Sequence, residues 1–326
     1  MNKTLKITLN ILVFVLIAGF GYYMVHSIMP DGKEMRSGEG NAENTFVSPY
    51  KKTTGFTTPS DILCFDLYEN VIYAAQSGRI SVFDLSSNRQ RNFTIQTDVR
   101  DIVVEDETIY LLYPQRIDLY TFDGTKKGEW AACSDHSDYC AFTTSKDYIF
   151  VTDVEYKLIT QLDKEGRLVR FIKSPEGFII PSYSFDIINI NDTIYCANSG
   201  RHKIESYTID GEYITSFGIA GTQAGAFLGC CNPAYLAATP WGDIITSEKG
   251  IPRISCYSRE GTFRTVLLND KILDGGTLAY NVEMHDDKIY VARKKSLSVF
   301  VFDPELAAQS ACAGCPVDCP FSMNNE

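Results

Sequence analysis

Cysteine is the residue type in this chain that is best suited to redox or metal chemistry. The chain has 326 residues and 10 cysteines, and five of these cysteines form one adjacent pair and one cluster. Cys230 and Cys231 are neighbours, whereas Cys312, Cys315 and Cys319 follow one another near the carboxyl end. Thiolates bind zinc and iron, and paired thiols form disulfides. These five residues are therefore the first candidates for a metal or disulfide site.

The cluster near the carboxyl end partly resembles a ferredoxin-type iron–sulfur motif, C-x2-C-x2-C-x3-C-P. Cys315 and Cys319, followed by Pro320, match the end of that motif, and Cys312 to Cys315 matches one of its shorter intervals. One cysteine is missing, so a fourth ligand would have to come from the adjacent pair. We expect no cofactor, and a metal ion or an iron–sulfur cluster is the alternative.

Three states of these thiols remain open, namely disulfides, a metal ion or cluster, and free or exchanging thiols. Adjacent cysteines rarely bond to each other because the small ring requires a distorted peptide. We therefore expect Cys230 and Cys231 to face different partners.

A second candidate site lies between Cys133 and Cys140, which enclose a short polar segment that contains His136. The spacing could close a small disulfide loop. The three side chains could instead hold a metal ion, although the spacing matches no usual zinc motif. Three other cysteines lie within apolar strand patterns and are interpreted as core residues. They are Cys64, Cys196 and Cys256.

The elements that position these residues follow from an internal repeat. An Ile followed by an aromatic or aliphatic residue recurs six times at spacings of roughly 37 to 50 residues, the length typical of propeller blades. The pairs are Ile72-Tyr73, Ile109-Tyr110, Ile149-Phe150, Ile194-Tyr195, Ile244-Ile245 and Ile289-Tyr290. Around each pair apolar and polar residues alternate with the period of a half-buried strand. The pattern predicts an all-β fold, a six-bladed β-propeller of four-stranded antiparallel blades.

The last repeat lacks a fourth strand, because the chain turns into Pro304 and leaves the pattern. Residues 46–57 precede the first repeat and have no other partner. We predict that they supply the missing strand, which would join the two ends of the chain and remove an exposed sheet edge.

The fifth repeat resembles the NHL-repeat propeller family. The resemblance is carried by the glycine-containing segment 217–227, by Asn232-Pro233 and by segments 241–245 and 252–254. It implies a six-bladed propeller over residues 46–303. It implies little about activity, since propellers serve many unrelated functions.

The amino terminus is predicted to be a transmembrane signal anchor. Lys3 and Lys6 precede an apolar stretch within residues 7–29, which is long enough to cross a bilayer. A cleaved secretory signal is the alternative, but the apolar run continues past the small residues Ala18 and Gly19. The short amino-terminal tail favours a cytoplasmic start, which would place the propeller in a bacterial periplasm or cell envelope.

The chain is thus divided into four predicted parts. Residues 1–29 form a cytoplasmic tip and the anchor, and residues 30–45, which are rich in Gly, Glu, Asn and Ser, form a flexible linker. Residues 46–303 form the propeller. Residues 304–326 form a cysteine-rich tail.

Composition narrows the choice of partners and activities. A formal net charge of −11 provides no basic surface of the kind that attracts nucleic acid. The chain has only 4 histidines, and no inward-facing set is evident like the metal-binding histidines of amidating lyases of this propeller class. A nucleophile-elbow motif is also absent from the sequence.

We therefore predict a membrane-anchored binding or scaffold module for a protein, peptide or glycan. The alternative is a redox or metal-carrying protein, in which the three cysteines of the tail act with the adjacent pair. A propeller lyase or hydrolase is the third hypothesis.

Overall fold

The structure is a computed structural model that describes residues 46–307. In this part of the chain 24 strands form six antiparallel sheets of four strands each, the blades of a propeller. The predicted all-β, six-bladed propeller is therefore confirmed. The predicted anchor and linker, and most of the predicted tail, lie outside the described residues.

Within each blade the innermost strand lines a central channel and the outermost strand faces solvent. The first strand of the described residues, β1 (Tyr50–Thr57), belongs to blade 6. Blade 1 contains β2 (Ile62–Tyr68), β3 (Val71–Gln76), β4 (Arg79–Asp84) and β5 (Arg89–Thr94); blade 2 contains β6 (Asp101–Glu105), β7 (Thr108–Tyr113), β8 (Arg116–Thr121) and β9 (Lys126–Ala131). Blade 3 contains β10 (Tyr139–Thr144), β11 (Tyr148–Asp153), β12 (Leu158–Asp163) and β13 (Leu168–Ile172); blade 4 contains β14 (Ile187–Ile190), β15 (Thr193–Asn198), β16 (Lys203–Thr208) and β17 (Tyr213–Phe217). Blade 5 contains β18 (Tyr235–Ala238), β19 (Ile244–Glu248), β20 (Arg253–Tyr257) and β21 (Phe263–Leu268); β22 (Asn281–His285), β23 (Lys288–Arg293) and β24 (Ser296–Phe302) complete blade 6, and a short helix, α1 (Pro304–Ala307), follows.

The repeated Ile residues explain why the blades pack together. All six are completely buried, each on the second strand of its blade. Ile109, for example, packs in a cluster with Tyr73 and Ile80 of blade 1, so one cluster spans two blades. Burying an Ile side chain stabilises a fold by about 1.5–3 kcal/mol, and the repeat places one such side chain in every blade.

Blade 6 is closed by β1, as predicted. β1 pairs with β24 in antiparallel register, with Tyr50 opposite Phe302 and Thr57 opposite Ser296. Before the strand begins, the Ser48 hydroxyl donates a hydrogen bond of 2.6 Å to the carbonyl oxygen of Leu267 in blade 5. The closing strand is therefore attached to two blades.

Glycine turns between the third and fourth strands of a blade also contact the preceding blade. Gly124 and Gly166 adopt left-handed backbone conformations, with φ of 90° and 79°. A Cβ atom at Gly124 would collide with the ring of Phe93, and one at Gly166 with the ring of Trp130. These turns need glycine both for the positive φ and for the close approach.

The propeller has two different faces. The face that we call the loop face carries the long connections between blades, which include residues 173–186, 218–234 and 269–280. The opposite face, which we call the terminal face, carries residues 46–49 and 303–307, because β1 begins where its partner β24 ends. Between residues 46 and 307 the one α-helix has 4 residues, and no helix there is long and apolar enough to span a membrane.

Candidate binding site in the central channel

A cavity of about 250 Å³ lies in the central channel and reaches the loop face. The innermost strands form its wall, and residues of the connections between blades form its rim. Arg100 is the one basic residue among the described residues that line it. Four acidic residues line the same cavity. They are Asp66, Asp101, Asp186 and Glu283.

The register of the strands places these carboxyl groups at two depths. Asp66 pairs with Tyr73 and Glu283 pairs with Tyr290, which are equivalent positions in blades 1 and 6. Asp101 pairs with Leu112, which lies two residues nearer the loop face in the equivalent strand of blade 2. Two residues of a strand span about 6.6 Å. Asp101 is therefore closer to the channel mouth than Asp66 and Glu283 by about that distance.

Asp186 belongs to the outer of the two levels. It stands directly before β14, and its carbonyl oxygen accepts a hydrogen bond of 2.9 Å from the backbone N–H of Ala197. Ala197 occupies the same position in its strand as Leu112 does in blade 2. The channel thus has two carboxyl groups near its mouth and two deeper ones.

Three of the four carboxyl groups bind adjacent blades together. One oxygen of Asp66 accepts a hydrogen bond of 2.6 Å from the backbone N–H of Val104 in blade 2. Asp101 accepts one of 2.9 Å from Phe142 in blade 3. The other oxygen of each aspartate accepts from the N–H of the next residue along the chain. Both oxygens are therefore used, and the aspartates connect blade 1 to blade 2 and blade 2 to blade 3.

Asp186 makes the same connection between blades 4 and 5. Its Oδ2 accepts a hydrogen bond of 2.6 Å from the N–H of Leu236, and its Oδ1 accepts one of 3.0 Å from the N–H of Ile187. Hydrogen bonds to a charged acceptor contribute about 1.5–3 kcal/mol each. The three aspartates are thus explained by the architecture itself.

Glu283 is different, because its carboxyl group makes no hydrogen bond or ion pair with any other residue between 46 and 307. Burial raises the pKa of Glu283 well above its usual range, and the negative charges of Asp66, Asp186 and Asp101 raise it further. A carboxyl group that lacks a partner and faces a cavity is available to a ligand.

The aspartates also titrate abnormally. Burial raises the pKa of Asp186 to about 7, although the N–H groups of Leu236 and Ile187 oppose the rise. Burial likewise raises the pKa of Asp66 to about 7. The pKa of Asp101 is raised by burial and then by the charge of Asp186. Ionised carboxyl groups that share a cavity repel one another. These groups therefore keep their protons to a higher pH than a free carboxyl group does.

The rim of the channel carries an aromatic side chain in an unusual conformation. Ser182 and Tyr183 both have positive φ, at 58° and 57°, in a short 3-10 turn. The Tyr183 hydroxyl donates a hydrogen bond of 2.8 Å to Asp138, and the Arg100 guanidinium lies 5.0 Å from the centre of the Tyr183 ring. The ring nevertheless stays half exposed at the mouth of the cavity. Non-glycine residues in this conformation are strained and are concentrated at binding and active sites.

The adjacent cysteines lie on the loop face, next to this rim. The sulfur atoms of Cys230 and Cys231 are 3.3 Å apart and both are free thiols, so the two side chains contact each other without a bond. The prediction that each faces a different partner stays a prediction, because the tail cysteines lie outside the described residues. The cause of the contact is the local backbone. Gly229 has a φ of 75°, and the side chain of Asn232 holds the loop through hydrogen bonds of 2.6 Å and 2.8 Å to the carbonyl oxygens of Leu228 and Lys249.

The other predicted cysteine site occupies the connection between blades 2 and 3. Cys133 and His136 are exposed, and the backbone N–H of Cys133 donates to the Tyr139 hydroxyl at 3.2 Å. The Cys140 thiol instead donates to the carbonyl oxygen of Tyr183 at 3.1 Å, and burial raises its pKa to about 12. Both cysteines are free thiols in the structure.

The remaining cysteines divide into two groups. Cys64, Cys196 and Cys256 are buried, which confirms them as core residues. Cys312, Cys315 and Cys319 lie outside the described residues. Within residues 46–307 no group of three or more His, Cys, Asp or Glu side chains is arranged to hold a metal ion.

Sequence reasoning did not select the channel carboxyl groups. A usable signal was present, however. Asp101 and Asp186 stand eight residues before the repeated Ile of their blades, and Asp66 and Glu283 stand six residues before theirs. An acidic residue that recurs at one of two fixed offsets from the repeated Ile indicates two levels of carboxyl groups along the channel.

The architecture defines the class of protein as a six-bladed β-propeller, and comparison with solved structures agrees. The chain is similar to virginiamycin B lyase from Staphylococcus aureus, with 14% identity and a TM-score of 0.56 over 78% of this chain and 100% of that one. It is similar to a protein of unknown function from Bacteroides thetaiotaomicron, with 12% identity and a TM-score of 0.58 over 78% of this chain and 74% of that one.

A third similar structure is the β-propeller domain of Swd1 from Myceliophteria thermophila, with 9% identity and a TM-score of 0.55 over 78% of this chain and 100% of that one. No protein-family model matches this chain, and no curated protein matches it. These similarities show the fold alone, since a propeller can serve a lyase as well as proteins of other kinds.

Proposed function

We propose that this protein is a membrane-anchored, extracytoplasmic binding module of the NHL-repeat type, which receives a basic segment of a protein or peptide at its loop face. Glu283 carries the proposal. It is a carboxyl group that faces a cavity, that no residue of the described chain neutralises, and that is surrounded by three further carboxyl groups. A Lys or Arg side chain entering the channel would relieve this unfavourable charge.

The surface around the channel supports a macromolecular ligand. Several large apolar side chains are exposed on the loop face, among them Ile179 at 47%, Tyr183 at 50% and Leu278 at 55% of their accessible surface. Aromatic residues such as Tyr183 are enriched at protein interfaces relative to the rest of a protein surface. The described chain enters and leaves at the terminal face, opposite this surface.

The membrane anchor and the envelope location rest on the apolar stretch within residues 7–29. The NHL-repeat assignment rests on the motifs of the fifth repeat, and a glycan remains an alternative ligand because Tyr183 and Tyr235 line the mouth of the cavity.

Direct binding tests the ligand class. The full chain, purified in detergent, would be titrated with pools of short peptides that are basic, acidic or neutral, and with neutral oligosaccharides. We expect the basic pool to bind and Glu283→Gln to weaken that binding about tenfold, which corresponds to about 1.4 kcal/mol. Preference for the acidic or neutral pool, or for the oligosaccharides, would refute a basic peptide ligand.

A matched pair of tyrosines tests the place of binding. Tyr183→Ala should weaken binding, whereas Tyr213→Ala should leave it unchanged, since Tyr213 is also an exposed tyrosine but lies on the outermost strand β17. Equal effects of the two substitutions would show that the ligand does not use the loop face.

Acid–base catalysis by a hydrolase or lyase is a second candidate function. It is supported by Asp66 and Asp186, whose pKa values of about 7 suit proton transfer at neutral pH. Both oxygens of these residues accept backbone hydrogen bonds, however, which leaves Glu283 as the group with free oxygens. Turnover of a substrate that survives Glu283→Gln would exclude Glu283 from that chemistry.

The redox or metal alternative, in which Cys312, Cys315 and Cys319 act with the adjacent pair, depends on a tail outside the described residues. It stays a prediction.

A further inference from the structure

Cys230 and Cys231 are held in a geometry that suits reaction with each other. Their sulfur atoms are 3.3 Å apart, which is within contact distance and longer than the roughly 2.05 Å of an S–S bond. Joining them requires the two sulfur atoms to approach by about 1.2 Å and the peptide between the two residues to distort.

The loop that carries the pair is fixed to a neighbouring turn. Asn232 is almost completely buried, and its amide donates to the carbonyl oxygens of Leu228 and Lys249. Its Oδ1 accepts a hydrogen bond of 2.9 Å from the backbone N–H of Lys249. The two hydrogen bonds with Lys249 fix its backbone to the loop that carries the cysteines.

The two sulfur atoms lie in unlike surroundings. Cys230 is exposed, whereas Cys231 is only 8% exposed. Burial raises the pKa of Cys231, but hydrogen bonding to Lys249 and to Cys230, together with the charge of Lys249, outweighs burial and lowers it overall. The pKa of Cys230 is raised, chiefly by its hydrogen bond with Cys231. Cys231 is thus the sulfur that better carries negative charge.

A reactant has room to approach. Lys249 and Ser182 line a second cavity of about 290 Å³ on the loop face, which also includes Tyr183 and Leu278. This cavity shares Tyr183, Ala234 and Tyr235 with the central channel. The two cysteines do not line this cavity themselves, and a reactant reaches the pair through the exposed sulfur of Cys230.

We propose that Cys230 and Cys231 form a redox-active vicinal pair that exchanges with external thiols and disulfides, with Cys230 as the sulfur that bonds to the reactant and Cys231 as the sulfur that leaves.

Reduction of the vicinal disulfide depends on the different surroundings of the two cysteines. An external thiolate attacks the exposed Cys230 sulfur of the vicinal disulfide, the bond between the two cysteines breaks, and Cys231 leaves as a thiolate stabilised by Lys249. A second external thiolate then attacks the reactant's sulfur in the mixed disulfide and releases Cys230. Two external thiols become one external disulfide, and the pair gains two electrons and two protons. Leaving groups of lower pKa depart faster in such exchanges.

The oxidative direction is the reverse and uses a small or protein-borne disulfide as the oxidant. Cys230 attacks it and forms a mixed disulfide, and one external thiolate leaves. The Cys231 thiolate then attacks the Cys230 sulfur and expels the second external thiolate. Two protein thiols and one disulfide thus give one vicinal disulfide and two thiols.

The positions of Lys and Arg in the sequence make the vicinal disulfide easy to detect. Cleavage after every Lys and Arg yields the fragment 204–249, which contains Cys230 and Cys231 and no other cysteine. The full chain would be reduced, freed of reductant, exposed to oxidised glutathione, alkylated and digested. We expect fragment 204–249 to lose two hydrogen atoms and to resist alkylation, and we expect a dithiol reductant to restore both thiols.

Three results would overturn the proposal. The fragment could keep both thiols while glutathione reacts elsewhere, it could retain a lasting mixed disulfide with glutathione, or it could be joined to the fragment 296–326, which holds the three tail cysteines. Each of these would show that the pair does not close on itself.

Variants of Lys249 test its part in positioning the reaction. Lys249→Met should slow the reductive opening about three- to tenfold, because Cys231 becomes a poorer leaving group. Lys249→Arg keeps the charge and should restore the rate. A rate unchanged in Lys249→Met would remove Lys249 from the proposal. Cys230→Ser alters none of the groups that form the loop hydrogen bonds and should yield no vicinal disulfide.

Discussion

The central channel contains two kinds of carboxyl group that differ in what they bind. Asp186 accepts two backbone N–H groups, one of them from the next blade, and so holds two blades together. Glu283 lies in the same cavity and binds none of the described residues. Both kinds of carboxyl group are buried and repelled by their neighbours. Only the aspartates accept hydrogen bonds that offset this cost. The comparison separates carboxyl groups that stabilise the fold from one that is available for function.

The largest expected effect is on stability at the junction of blades 4 and 5. Asp186→Ala removes the acceptors of the N–H groups of Leu236 and Ile187. An orphaned buried N–H costs about 1–3 kcal/mol, and we expect a loss of about 2–4 kcal/mol in the free energy of unfolding, measured with urea at neutral pH. Glu283→Ala is the control and should show no such loss. Equal losses in the two variants would contradict the comparison.

A smaller effect is expected where one of two acceptors is kept. In Asp101→Asn the amide oxygen can still accept from Ile102 or from Phe142, but the amide nitrogen cannot replace the second acceptor. We expect a loss of about 1 kcal/mol in the same urea measurement, and a larger loss in Asp101→Ala. An Asn variant as unstable as the Ala variant would show that the carboxylate charge, rather than the hydrogen bonds, is what the junction needs.

The smallest effect concerns Glu283 and depends on pH. Because the folded protein holds the proton of Glu283 more tightly than the unfolded chain does, the folded state binds more protons above the unfolded pKa. Its contribution to stability is therefore fully present below the unfolded pKa, about 4.3, and is lost as pH rises through the folded pKa.

Glu283→Gln removes this loss, since an amide does not ionise. We expect its melting temperature to match that of the unaltered protein near about pH 4.5 and to exceed it by about 2–4 °C near about pH 8, which corresponds to roughly 1 kcal/mol. Thermal unfolding followed by fluorescence across this pH range measures the difference. A variant that melts lower near pH 8 would mean that Glu283 has a stabilising partner.

The sequence was sufficient to predict the fold because the repeat combines two signals in every blade. The repeated Ile fixes the second strand, and the alternation around it fixes the faces of the neighbouring strands. Residues 50–57 could be assigned to blade 6 because that blade lacked a strand and no other element could supply it. Both predictions depend on the local alternation of apolar and polar residues and on the number of strands in each blade.

The candidate site could be predicted only in part. Cys230 and Cys231 were selected for their chemistry, but their contact depends on Gly229 and on a hydrogen-bonded Asn232, which adjacent sequence does not reveal. The channel carboxyl groups come from four different blades, so no local spacing brings them together. Their shared position becomes visible only when the strands are aligned by register.

Closure of the ring by β1 has a consequence for the timing of folding. The partners Thr57 and Ser296 are 239 residues apart in the sequence. A ribosome adds about 5–20 residues each second, so the first strand waits roughly 10–50 s for its partner. During that time it is an unpaired edge. Its sequence suits the delay, because Lys51 and Lys52 place charges on the strand, and charged side chains discourage pairing with a second chain.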